Sequence, residues 1–84
     1  MDRKILKKKV VIGERYWFTT FGLEFEVEIV KPADAETKMC EVKWIKILNE
    51  EDATGDVVSL LPGLKEMITK GTITPMAVYN LRKL

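Results

Sequence analysis

Histidine is absent from this 84-residue chain, cysteine occurs once, and glycine and proline number only five and three. Each scarcity excludes something. Without histidine the chain lacks the commonest general base and the commonest transition-metal ligand. A lone Cys40 has no internal disulfide partner, which fits a reducing, cytoplasmic setting. No apolar run approaches the ~20 residues of a membrane-spanning helix. Residues 1–10 lack the apolar core and small-residue cleavage site of a secretion signal, so a soluble protein with no membrane role is expected.

What is present is ordinary globular composition, 46% hydrophobic and 32% charged. A chain this short buries about 60–65% of its unfolded surface. The expectation is therefore one domain over residues 1–84, with the basic segment 1–9 flexible. Fourteen basic and thirteen acidic residues leave a net charge of +1, so no global field draws the chain to nucleic acid or anionic lipid. The distribution is uneven. Arg3, Lys4, Lys7, Lys8 and Lys9 make the start positive, and Lys65, Lys70, Arg82 and Lys83 do the same for the last third. Between them lie Glu24, Glu26, Glu28, Asp34 and Glu36, then Glu50, Glu51, Asp52 and Asp56. Such a pattern either orients a partner or simply solvates faces that neutralise one another.

The clearest structural signal is Leu23, Phe25, Val27 and Ile29 alternating with Glu24, Glu26 and Glu28, a strand with one buried and one wet face. Its three glutamates repel one another, so basic cross-strand neighbours are expected, and Lys43 and Lys46 are the candidates. Val10-Val11-Ile12 predicts a short strand, Gly13-Glu14 a turn, and Arg15–Thr20 a second strand broken by Phe21-Gly22. After a polar segment at residues 31–38, Cys40, Val42 and Trp44 alternate with Glu41 and Lys43. The phase slips after Trp44, which predicts a β-bulge at Trp44-Ile45. Residues 49–55 read as an acidic turn, and residues 57–61 as a short strand or a helix lead-in before Pro62. Leu64, Met67 and Ile68, closed by Gly71, predict a helix of about two turns. Thr74-Pro75 reads as the start of a terminal helix carrying Val78 and Leu81, with a closing strand at residues 77–81 as the alternative.

The predicted class is mainly β with short C-terminal helices, an α+β domain built on a small, strongly curled antiparallel sheet of about five strands. Catalysis finds little support. Ser59 and Cys40 have no histidine to activate them, and Cys40 shares the core face of Val42 and Trp44. No enzyme activity, cofactor or metal is expected; Glu50-Glu51-Asp52 reads as a surface turn. The candidate binding residues are Arg15, Tyr16 and Trp17 with Lys7, Lys8 and Lys9. Alternation along Arg15-Tyr16-Trp17-Phe18 sends two rings inward and leaves the rest outside. An exposed ring beside arginine makes a platform for a peptide side chain or an unstacked base. The lysines add a basic stripe beside it.

The Val-Ile-Gly-Glu opening, the alternating strand ending in Ile29-Val30, the Cys40–Trp44 strand and the Leu64–Gly71 turn before Thr72-Ile73 together resemble the SH3-like small β-barrels. These include KOW-, Tudor- and Agenet-like modules and short accessory proteins of bacteriophages. The likeness spans residues 10–73. It implies a small regulatory protein that binds without catalysis. The expected partner is a larger protein or complex; the alternative is nucleic acid, bound through the N-terminal lysines and the Arg15-Tyr16-Trp17 cluster. Two features depart from the family: no methyl-lysine aromatic cage is recognisable, and a C-terminal helix is added. An open edge strand also leaves room for a homodimer.

Overall fold

A computed structural model describes residues 10–84. The expected flexible segment 1–9 lies outside them. The alternating stretch forms β2 (Leu23–Lys31), flanked by β1 (Arg15–Thr20) and β3 (Met39–Ile47). Helix α1 follows over Asp56–Lys70, then β4 (Ile73–Ala77), a 3₁₀ turn over Val78–Asn80 and the two-residue β5 (Arg82–Lys83). All pairings are antiparallel, in the order β4-β3-β2-β1-β5. The class is α+β: one five-stranded sheet with one helix.

The core sits on one face of this sheet. Leu23, Phe25, Val27 and Ile29 are fully buried, and the glutamates between them lie on the opposite face. Burial of each such side chain is worth roughly 1.5–3 kcal/mol. Register carries the same face onto the neighbours. Tyr16 and Phe18 lie opposite Val27 and Phe25, and Val42 and Trp44 lie opposite Ile29 and Val27. The predicted bulge is present, because Val27 pairs with Trp44 while Glu26 pairs with Lys46, leaving Ile45 as the extra residue. The Trp44 ring meets Phe25 edge-on at 4.9 Å and Phe18 at 5.8 Å, and its indole N–H donates to Thr74 Oγ1 at 2.9 Å.

Four expectations need correction. The sheet is open and not strongly curled, since no ladder joins β4 to β5 among the described residues. Residues 10–12 form no strand and lead into a turn at Ile12-Gly13: the Glu14 amide donates to the Val11 carbonyl, and the Glu14 carboxylate accepts the Val11 amide. Only Val10 of that apolar run enters the core; Val11 and Ile12 are exposed.

Helix α1 is the third. It starts at Asp56, absorbs residues 57–61 and spans 15 residues, with Pro62 inside it. Pro62 removes the amide that would bond the carbonyl of exposed Val58, so that carbonyl is left to water. Val57, Leu61, Leu64, Met67 and Ile68 pack as a half-buried stripe against the sheet's core, and no helix residue is fully buried. The helix ends as predicted at Gly71, whose left-handed backbone (φ 69°) lets its amide reach Ile68 and that of Thr72 reach Met67.

The fourth is the terminal helix, which is replaced by β4, the 3₁₀ turn and β5. Thr72 bonds Trp44 of β3 and Val78 bonds Lys38 just before it, so every second residue between them faces β3 and Pro75 faces the free edge. There its missing amide costs no ladder bond. The 3₁₀ turn then carries the chain from one edge of the sheet to the other, with Val78 and Leu81 buried beneath it.

Candidate functional site

The aromatic cluster divides as the strand period requires. Tyr16 is buried and Phe18 half-buried on the core side, whereas Arg15 and Trp17 lie on the face that the helix leaves uncovered. Trp17 is half-buried there, with Glu26 opposite it on β2 and Arg82 on β5. The Arg15 guanidinium donates to Glu26 Oε2 at 2.9 Å and to Glu28 Oε1 at 3.1 Å. The Glu26 hydrogen bond is the main cause pushing the Arg15 pKa upward, with Glu28 adding to it against some loss of hydration.

Lys43 and Lys46 occupy the expected positions opposite Glu28 and Glu26. The uncovered face is therefore a mosaic of alternating sign: Arg15 and Arg82 at one side, the β2 glutamates in the middle, Lys43 and Lys46 beyond. Arg82 is also anchored, since its Nη1 donates to the carbonyl of Tyr79. The face thus carries charges of both signs around an aromatic ring.

Tyr16 turns its ring into the core. Its hydroxyl donates to Glu14 Oε1 at 2.9 Å, the oxygen that also accepts the Val11 amide, so the ring staples the first turn to β1. Burial raises the Tyr16 pKa and the bond to Glu14 raises it further. The phenol is thus an inward hydrogen-bond donor. Lys7, Lys8 and Lys9 lie outside the described residues.

Cys40 is core as expected: its thiol donates to the Met76 carbonyl at 3.3 Å, and burial pushes its pKa up. Among the described residues no group of three or more metal-ligating side chains converges, and no helix is long and apolar enough to cross a membrane. A shallow cleft of about 280 Å³ between Glu14, Arg15, Tyr16 and the 83–84 end borders the uncovered face. Glu14, Glu26 and Glu28 were missed as partners of the cluster; the period-two register would have placed the last two beside Arg15.

Comparisons with protein-family models, curated proteins and solved structures find no match to this chain.

Proposed function

We propose that this chain is a small non-catalytic binding module that docks as a regulator or inhibitor on a larger protein through the uncovered sheet face. The observation that carries this reading is Trp17: a half-buried indole on the wet side of the sheet, framed by Glu26 and Arg82 beside the Arg15–Glu26/Glu28 fork. Tryptophan and arginine are the residues that most often dominate protein–protein contacts. The clamped, oppositely charged neighbours hold the surface in shape before binding, which lowers the ordering cost.

The architecture we assign to it is SH3-like. Support comes from the strand order, in which the chain runs β1 to β4 in sequence and returns through a 3₁₀ turn to place β5 beside β1. Helix α1 is then an addition between β3 and β4.

The test is purification of the tagged protein from its native host at physiological salt, beside a Trp17→Ala variant. A protein should co-elute with the wild type and fall at least about tenfold with the variant, equivalent to about 1.4 kcal/mol. Equal recovery with both would overturn the assignment of this face. Recovery of nucleic acid alone, lost steeply as salt rises, would instead favour the nucleic-acid reading.

A further inference from the structure

The loop between β1 and β2 consists of two residues, Phe21 and Gly22, because Thr20 pairs with Leu23. Both have positive φ, 57° and 75°. A two-residue hairpin of this kind favours asparagine, aspartate or glycine at its first position, since a Cβ crowds the following carbonyl there. Phenylalanine is among the poorer choices. Its ring is also 58% exposed and belongs neither to the core cluster nor to the ring contacts of Trp44.

Among the described residues Lys38 is the other non-glycine residue in the left-handed region, at φ 61°, and there the fold supplies a reason. Its amide donates to the Asp34 carbonyl and its Nζ to the Ala35 carbonyl. Phe21 is thus disfavoured twice, by conformation and by exposure, and among the described residues it is not one of those packed against the core. An aromatic ring kept in that position points outward to something else.

Its surroundings say what kind of surface. The Leu48 amide donates to the Glu24 carbonyl at 2.7 Å, and the Glu24 amide donates to Asn49 Oδ1 at 2.7 Å. These two bonds tie the acidic 3₁₀ turn Glu50–Asp52 to the base of the hairpin, with Leu48 itself 38% exposed. Glu50 is paired with Lys65 and Asp52 accepts from Asn49 Nδ2 at 3.0 Å, and the carboxylates of Glu51 and Asp52 are both exposed. An apolar tip backed by an acidic shelf is complementary to an apolar pocket with a basic border.

We propose that Phe21 is the anchor of docking, inserting into an apolar pocket bordered by lysine or arginine on a protein partner. The proposal rests on the protein-docking reading above and adds to it the contact and the partner's chemistry.

Two measurements test it. The first is thermal unfolding of Phe21→Asn. If the ring serves a partner and not the fold, asparagine relieves the backbone and the melting temperature rises by about 4 °C or more. An unchanged or lower value makes Phe21 structural and overturns the proposal. The second places the photoreactive residue p-benzoylphenylalanine at position 21, at position 17 and at exposed Thr69, with irradiation in the native host and mapping of each adduct.

The expected result is a protein adduct from position 21, absent at 69, whose attachment site is an apolar pocket with basic neighbours. Excess wild-type protein should suppress it, and Phe21→Asn should do so at least tenfold less well. The proposal falls if the adduct is a second copy of this chain, if its site has an acidic border, if Phe21→Asn competes as well as wild type, or if no adduct is competed away. A competed adduct at 17 without one at 21 would sink the hairpin anchor and leave the docking module standing. None at either position would sink both.

Discussion

Tyr16 and Trp44 set the ends of the core by opposite means. Trp44 is buried with its one polar atom satisfied by Thr74, so the ring acts as a hub for Phe18 and Phe25. Tyr16 keeps its ring inside and sends its hydroxyl to Glu14 at the turn. That arrangement has a pH consequence. The ordinary tyrosine value is 10.0, and here burial first and the Glu14 bond second raise it. A raised value means the fold prefers the neutral phenol. Its contribution is fully present below about pH 10 and is lost as the pH climbs through the higher value of the folded state. Chemical denaturation across the alkaline range should therefore show a stability loss that starts near pH 10 and is smaller in Tyr16→Phe. An identical decline in both proteins would show that Tyr16 has no part in it.

Among the elements, those set by side-chain alternation were legible in the sequence and those set by distant partners were not. β2, the Ile45 bulge and the lysines opposite Glu26 and Glu28 all follow from a period of two on a sheet with one dry face. Val10–Ile12 misled because β-branched composition describes a pleated surface, whereas here the chain folds back through the turn that Glu14 closes on Val11. Thr74-Pro75 misled because the same two residues that open a helix also suit an edge strand, and only the pairing with β3 decides between them. With Pro75 facing outward, β4 has a gap in its free row of donors, which blunts that edge against a second strand. Of the site, Trp17 was legible from alternation; the clamping of Arg15 needed the register, and the Phe21 conformation needed the backbone itself.

Helix α1 contains the weakest local choices in the chain, Pro62 followed by Gly63 in its interior. A Cβ built on Gly63 meets nothing within 4 Å, and its φ is not positive. Gly63→Ala should accordingly stabilise the protein by about 0.5–1 kcal/mol, through the entropy that glycine loses on entering a helix. Urea unfolding measures this. A loss of stability instead would mean that α1 needs the glycine to bend at Pro62.

For the whole molecule, the uneven charge of the sequence resolves into short-range compensation. Glu26 and Glu28 of the acidic middle are met on one side by Arg15 and on the other by Lys46 and Lys43, all on one face of the sheet. The opposite face carries the core and the helix, so polar and apolar chemistry are separated by the thickness of a single sheet.

The return of β5 to β1 also bears on how the molecule assembles. Trp17 and Arg82 are neighbours across this ladder although almost the whole described chain separates them. The β1–β2 hairpin closes through a two-residue loop, whereas this last pairing must wait until a long loop has closed. Only two residue pairs then hold it. Native-state hydrogen exchange should accordingly find the amides of Arg82 and Lys83 opening well before those of Val27 and Ile29, and equal protection at the two places would contradict that order. The seam laid down last in folding would then be the first to part.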